Sequence, residues 1–416
     1  MLNPHYPYKI CDPVHGFIRF DALEKELIDS LFFQRLRYLH QMGVAYLVYP
    51  GATHTRFEHS LGVMELASRL YDAMMAPYHL DSSLPTPKSA EEILYWRRIL
   101  RLAALCHDMG HLPFSHTAEK ALLPQGGHEK KTLECIQSQA LQAIWEKVGP
   151  EAEKDIIKLA VSEKELSLLG IREKLSPWEK VLSQVITEDN FGADRIDYLI
   201  RDAYYTGVGY GHFDYHQLID SVRILPDKGS ISIGIAEDGL QSVESLWIAR
   251  YLMYARVYHH PKARIFTHHM SRFMVRHYAK VGFPQTLLEY IQETDFIILA
   301  ALSQEAAKGD PDAQVLLKQR EPFKEISLDP VGVKKVIERI DQLQTLFGEE
   351  ICVDHLPPKD EVEQLRFFSV SRKDGQIVSS IEVSQFLRDI PIGGKPLRLY
   401  ALPNRAFEVS NELSLN

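Results

Sequence analysis

The sequence predicts a mainly α-helical protein with short β-hairpins and a smaller C-terminal α+β lobe. Two observations predict the helices. Apolar residues recur at three- and four-residue intervals through one segment after another, as in Leu23, Leu27, Ile28, Leu31, Phe32, Leu36 and Leu39. The breaks between such segments are polar and carry proline or glycine, as in Tyr49-Pro-Gly-Ala52 and Leu122-Leu-Pro-Gln-Gly-Gly127. The third observation predicts the lobe. After His355-Leu-Pro-Pro358 the pattern changes, and Phe367 to Val378 reads as strand, Asp374-Gly375 turn, strand.

Taken in order, Asp12-Pro-Val-His-Gly16 reads as a turn leading into the first helices. Thr53 or Thr55 then caps a helix running to about Ala76, with Phe57, Val63, Leu66, Ala67 and Leu70 as its apolar stripe. Pro77 to Pro87 is a connection. Leu100 to Cys106 is an apolar helix that continues through His107-Asp108 until Pro113 ends it, and Ser115 is placed to cap a segment starting at His116. Residues 129–169 read as helix with solvated charged faces. The stretch from Glu188 to Asp202 carries a packed helix marked by Ile196, Leu199, Ile200 and Ala203. Thr206 to Phe213 is glycine-rich, but it lacks the lysine ending and preceding strand of a phosphate loop. Ser230 to Ile235 alternates and pairs with the segment around Ile224 as a short hairpin. Helices resume over 242–283 and 285–347, broken at Gly309-Asp-Pro311 and Asp329-Pro330, and Leu397 to Ala401 is a last strand. A boundary near 320 divides a domain over 1–320 from a lobe over 321–416.

The composition is that of an ordinary globular chain, with 45% hydrophobic and 25% charged residues over 416 positions. A net charge of −9 argues against sequence-independent binding to nucleic acid, since such binding rests on clustered cations. Cys11, Cys106, Cys135 and Cys352 are far apart and form no C-x-x-C pair, so reduced thiols in a cytoplasmic protein are expected. The N-terminal Met1-Leu-Asn-Pro-His-Tyr-Pro carries no basic region followed by an apolar stretch. The longest apolar run, Phe296 to Leu302, falls well short of the roughly 20 residues that span a bilayer.

The chemistry concentrates where polar groups interrupt apolar helices. His107 and Asp108 are adjacent inside one, and burying them without a partner is costly. His59 sits on the apolar side of the preceding helix. Two inward faces offering imidazole and carboxylate point to a metal ion rather than to isolated core histidines. A further aspartate comes from Asp194 or Asp197, which share a helix face, and spacing alone does not choose between them. Pairing of Asp197 with Arg201 at i,i+4 is the structural alternative. From Tyr251 to Arg264, tyrosines interleave with basic residues, a composition suited to stacking a base and neutralising phosphates.

With these residues in view, the sequence resembles the HD-domain phosphohydrolases, and within them the dNTP triphosphohydrolase branch that has vertebrate and bacterial members. The matching phrases are Asp12-Pro-Val-His-Gly, Phe33-Gln-Arg-Leu-Arg-Tyr, Tyr49 through Gly62, Cys106 through His116, and Asp194 through Asp202. The resemblance spans roughly residues 8–280, with a motif core of about 50–205. It implies a helical HD fold and a metal site of His59, His107, Asp108 and Asp194, leaving Asp197 outside it. Two histidines and two carboxylates suit iron, manganese or zinc, and magnesium is expected with the nucleotide.

The implied activity is hydrolysis of a dNTP at the α-phosphorus, giving a deoxynucleoside and triphosphate. Arg56 and Arg195 then neutralise phosphate charge, and His111, His116 and His128 match active-site histidines. Sequence alone does not separate them, and His116 or His128 is expected to protonate the departing oxygen with His111 contacting phosphate. Glu119 stands where vertebrate members have aspartate and orients a histidine. Gln41, Tyr198 and Asp202 match residues around the deoxyribose, and Tyr258 and Arg264 fall where the base is contacted, with Arg264 in place of a tyrosine. Asp29, Gln34 and Arg37 match a guanine-nucleotide activator site, although Cys11 and Tyr8 replace an asparagine and a lysine there. Such a site lies between subunits, so a homo-oligomer, dimer or tetramer, is expected. Two other readings compete: an HD phosphodiesterase acting on a cyclic nucleotide or alarmone, and a nucleotide sensor without turnover. A nuclease ranks lower, given the acidic balance.

Overall fold

The computed structural model describes residues 6–414 except 80, 82, 162, 172–173, 188–189, 228, 319–322, 329, 355–367 and 391–396. It opens with a hairpin, β1 (Tyr8–Asp12) and β2 (Gly16–Phe20), with Tyr8 opposite Phe20. Asp12 closes the turn, its Oδ1 accepting from Val14 N (2.9 Å) and His15 N (2.8 Å). The sequence showed only the turn, because strands this short expose just two inward positions, Ile18 and Phe20, to a periodicity argument.

Helix α1 (Ala22–Ile28) starts from a reciprocal cap between Asp21 and Glu24. Helix α2 (Arg56–Met74) follows Thr55 and is buried nearly all round. Helix α3 (Ala90–Cys106) begins with a Ser89–Glu92 capping box and is fully buried from Ile99 onward. It stops at Cys106 and does not run to Pro113. Met109 N bonds Cys106 O (3.0 Å) and His111 N bonds Asp108 O (3.2 Å), so the chain tightens into a turn immediately after the helix. Ser115 is not a cap either: its hydroxyl donates to His40 O (2.8 Å). Helices α4 (Gly127–Ile136) and α5 (Ala193–Thr206) follow, and α2 packs between α3 and α5.

The expected hairpin is β3 (Val222–Asp227) with β4 (Ser230–Ala236), antiparallel, Ile224 opposite Ile233. Helix α6 (Leu240–Met253) passes through a π-helical turn, Tyr254–Tyr258, into α7 (Pro261–Val281), with α8 (Leu287–Gln292) and α9 (Asp295–Ala307) beyond. Strand β5 (Lys324–Ile326), helix α10 (Pro330–Phe347) and strand β6 (Ile351–Asp354) come next. The chain ends with β7 (Ser369–Ser371), β8 (Ile377–Ser379), β9 (Arg398–Ala401) and helix α11 (Ala406–Ser414). The fold is mainly α-helical with small sheets. The break at His355 to Pro358 lies outside the described residues.

The main core gathers α2, α3 and α5 with the inner faces of both early hairpins. A second cluster joins Phe114 to Phe266 and Met270 of α7 and to Ile298 and Leu302 of α9. A third, built on Val336, Leu343, Leu399 and Val409, belongs to the lobe, whose sheet runs β5-β9-β6. The lobe is not continuous in sequence. Strand β7 pairs parallel with β4, and Val370, Leu387 and Ile390 join the main core.

Candidate metal centre and active site

His59 comes from α2, His107 and Asp108 from the turn after α3, and Asp194 from the start of α5. Three elements that share one core thus converge on one point. His59 Nε2 lies 3.0 Å from Asp194 Oδ1 and 3.6 Å from Asp108 Oδ2. His107 Nε2 lies 3.5 Å from Asp108 Oδ1 and 3.8 Å from Asp194 Oδ1. One ligand atom from each of His59, His107 and Asp108 falls within 4.8 Å of the others. Both imidazoles are turned by a bond at the far nitrogen: His59 Nδ1 donates to Asp197 Oδ2 (2.8 Å), and His107 Nδ1 donates to Ala104 O (2.7 Å).

A divalent cation fits this group on two observations. His107 Nε2 is buried without a hydrogen-bond partner, which is costly in a protein interior. The electrostatics also favour positive charge. Burial pulls the His59 pKa down, yet the bonds to Asp194 and Asp197 outweigh it and carry it up to about 10. Burial pushes Asp108 up, but Arg56, His107 and His111 hold it well below the usual carboxylate range. Asp194 is likewise held low against burial, by His107 and His59. Two anionic oxygens and two imidazoles make a donor set for a divalent cation.

Asp197 stands behind the cluster and organises it. Its carboxylate accepts from His59 Nδ1, from His15 Nε2 (2.6 Å) and from Arg201 Nε and Nη2 (2.8 and 3.0 Å). Arg201 also donates from Nη1 to Asp12 Oδ2 (2.7 Å). Asp197 and Arg201 are both fully buried. The i,i+4 pair is therefore real, and Asp194, one turn earlier, faces the histidines. In the sequence Asp12 to Gly16 reads as a turn and as a phrase matching the family, with no sign that Asp12 and His15 complete this network. Gly62 makes room for it: a Cβ there would sit 2.0 Å from Asp197 Oδ1 and 2.5 Å from Arg201 Nη2.

A second group lies beside the first. His111 and His128 stack at 3.8 Å with 17° between rings, and His116 meets both edge-on at 4.8 and 5.2 Å. Glu119 bridges them, accepting from His116 Nδ1 (2.6 Å), from His128 Nδ1 (2.6 Å) and from His128 N (2.8 Å). Burial pushes the Glu119 carboxyl up, but these histidine bonds hold it far below its usual value. His111 is kept well below its ordinary pKa by burial, Arg56 and His128, with Nε2 3.1 Å from Asp108 Oδ1. Parallel rings this close cannot both aim an in-plane lone pair at one ion. The trio suits proton transfer and anion contact rather than a second metal.

Along α5, Asp202 accepts from Tyr258 Oη (2.6 Å) and His54 Nε2 (2.7 Å). The π-helical turn, a form frequent at functional sites, swings Tyr258 to within 6.2 Å of Tyr198 and 5.0 Å of Tyr254, ring centre to ring centre. Gln41 joins through its backbone, N bonding His54 O (3.0 Å). Arg56 is buried, donating to Ser115 Oγ (3.0 Å) and to Asp108. Arg195 is buried next to Asp194. Arg264 is not brought to this group: Asp354 of β6 holds it bidentately at 2.8 and 2.7 Å, tying α7 to the lobe. Arg250, whose guanidinium lies 5.0 Å from the Tyr254 ring, stands with the tyrosines instead. Neither it nor His54 stands out in the sequence, where a lone helical arginine and a loop histidine carry no spacing signal.

Asp29 and Arg37 are exposed and Gln34 is half-buried. Gln34 accepts from Arg37 Nε (2.8 Å) and donates to Ile28 O (2.7 Å), while Asp29 pairs with Lys25. Arg37 lies 3.4 Å over the Phe57 ring. No described helix is long and apolar enough to cross a membrane.

Comparison with known proteins bears on this arrangement. Residues 56–199 match the HD domain, and residues 213–352 match the HD associated region. The chain is 31% identical over 370 residues to the uncharacterized protein MJ1154 of Methanocaldococcus jannaschii, covering 86% of this chain and 72% of that one. It is 34% identical over 233 residues to the deoxynucleoside triphosphate triphosphohydrolase SAMHD1 of Mus musculus, covering 51% of this chain and only 34% of that one. A crystal structure of a hypothetical protein from Aquifex aeolicus superposes with a TM-score of 0.77 at 30% identity, covering 98% of this chain and 99% of that one.

Proposed function

The chain belongs to the HD-domain family of metal-dependent phosphohydrolases, and from that premise we propose that it is a deoxynucleoside triphosphate triphosphohydrolase. The observation that carries the reading is the sharing of α5 between two groups. Asp194 serves the metal cluster, and Asp202 lies about 12 Å further along the same helix, given a rise of 1.5 Å per residue. There it accepts from Tyr258 and His54, a polar group suited to a sugar hydroxyl. Likeness to the mouse enzyme supports the substrate class.

His59, His107, Asp108 and Asp194 would hold the ion. When bound, a divalent cation lowers the pKa of water toward neutrality and neutralises phosphoryl charge. The rest of the work falls to the chain's own side chains. Arg56 and Arg195, fixed beside the cluster, take the phosphate oxygens. Attack of water oxygen on the α-phosphorus breaks its bond to the 5′-oxygen, and that oxygen needs a proton. His116 or His128 supplies it from Nε2, since Glu119 holds both Nδ1 positions and stabilises the imidazolium. His111, kept neutral, contacts phosphate. Asp202, Tyr198 and Gln41 close around the deoxyribose, and Tyr258 and Tyr254 flank the base.

A regulatory reading rests on Asp29, Gln34 and Arg37, whose surface placement fits a guanine-nucleotide activator bound between subunits of a homo-oligomer. Turnover and assembly state, each unmoved by dGTP or GTP, would refute it. The activity itself is tested by anion-exchange analysis of products from each dNTP with Mn, Fe, Co or Mg. Triphosphate and deoxynucleoside are expected. Monophosphate from a cyclic substrate would favour a phosphodiesterase, and binding without products would favour a sensor.

A further inference from the structure

The turn that carries His111 and His116 has a backbone that should not hold itself. Phe114 (φ 55°) and Ser115 (φ 59°) are consecutive left-handed residues, and among the described residues no other non-glycine has positive φ. Such backbone persists only where the surroundings over-determine it. The surroundings here are specific. Arg35 Nη1 donates to His111 O (2.8 Å) and Met109 O (3.4 Å), and its Nε donates to Glu293 O (3.0 Å). Tyr290 Oη donates to Gly110 O (2.7 Å). Asp295 Oδ1 accepts from Phe114 N (2.6 Å), while its Oδ2 accepts from His40 N (2.7 Å) and His40 Nδ1 (2.5 Å). Arg35, Tyr290 and Asp295 are all buried.

We infer that Arg35, Tyr290 and Asp295 are positioning residues, a brace through which the α8–α9 corner of the HD associated region sets the strained turn and, through it, the histidines. Three features separate this from ordinary packing. The acceptors of Arg35 are backbone carbonyls, not a carboxylate, so the cation is spent on shaping the turn. All three side chains converge on residues 109–114 from elements far away in sequence. The Phe114 ring is also buried between α7 and α9, so the left-handed turn both seats that ring and points the next residues back toward the site. The brace holds His111 and His116 from outside and does not touch the metal ligands' side chains. Only its kinetic consequence rests on the proposed activity.

The test is hydrogen exchange of the full-length protein, with metal content and steady-state kinetics measured alongside, on Asp295→Ala, Asp295→Asn and Arg35→Lys. Asp295→Ala should lose protection in the peptide spanning 107–118 while α2 and α5 keep theirs and metal content holds. Its kcat should fall at least tenfold with little change in KM. Asp295→Asn keeps an acceptor for Phe114 N and should recover part of that loss. Arg35→Lys reaches one carbonyl and should behave between the two. Unchanged protection at 107–118 would overturn the brace, as would exchange rising throughout the protein, which marks a general structural role. If the wild type releases no triphosphate from any dNTP, the proposed activity fails, and the exchange result still decides the brace.

Discussion

Replacing Gly62 with alanine sets two opposing effects against each other. In a helix interior, alanine is worth about 1 kcal/mol over glycine, so the exchange should stabilise α2 if nothing else intervened. The new methyl, however, would sit 2.0 Å from Asp197 Oδ1, 2.5 Å from Arg201 Nη2 and 2.8 Å from Asp197 Cγ. No flexible side-chain tip can yield there, because Asp197 is also held by His15 and His59 and Arg201 by Asp12. Breaking a fully buried ion pair costs about 3–5 kcal/mol. The net is a loss of about 2–4 kcal/mol, or roughly 30- to 700-fold in the folding equilibrium at 1.4 kcal/mol per tenfold. His59 would lose its orienting acceptor as well, and such losses cost about 10–100-fold in metal affinity. Denaturant unfolding and metal titration of Gly62→Ala read both quantities. A variant as stable as wild type, with unaltered metal affinity, would refute the reasoning.

Other outcomes rest on the same geometry. His128→Ala should lower turnover about 100-fold or more while metal stays bound, and unchanged turnover would remove it from proton transfer. Asp202→Ala leaves Tyr258 and His54 without their acceptor, and it should weaken discrimination against ribonucleotides or dNTP binding; unaltered kinetics with both would remove the sugar pocket. Away from the site, burial pushes Asp354 up, but Arg264 and His268 hold it well below the usual value. The stability it contributes is therefore complete above the unfolded carboxylate's pKa near 4 and is lost as pH falls from there through the lower folded value. Asp354→Asn should cost on the order of 2 kcal/mol at pH 7. The gap from wild type should hold down to about pH 5 and narrow below about 4; a constant gap would contradict the assignment.

The sequence was most legible where chemistry and periodicity coincide. His59, His107 and Asp108 stand out because polar ligands inside apolar helices need a reason, and the three converge as that reason requires. Asp194 and Asp197 could not be told apart by spacing, since both lie on one face of α5, and only the position of α2 separates their tasks. Asp12 and His15 look like turn residues because their partners, Arg201 and Asp197, are distant in sequence. The end of α3 misleads for a related cause. Pro113 is a local stop signal, but the helix ends earlier because Arg35, Tyr290 and Thr132 take the carbonyls of Met109, His111, Gly110 and His107 from outside. Arg264 is expected at a nucleotide base because of the tyrosines and basic residues around it in sequence and its match to the family, and Asp354, reachable only through the fold, claims it. The lobe's β7–β8 hairpin was legible as a hairpin, but its parallel pairing with β4 has no local signature.

The claim on which the rest depends is that four side chains from three elements hold one divalent cation. Elemental analysis of the purified protein after metal loading, beside His107→Ala and Asp194→Asn, addresses it directly. Bound iron, manganese or zinc in the wild type, lost in both variants while their helical circular dichroism is retained, is the predicted result. Metal that remains in folded His107→Ala, or a wild type that takes up none, would contradict it.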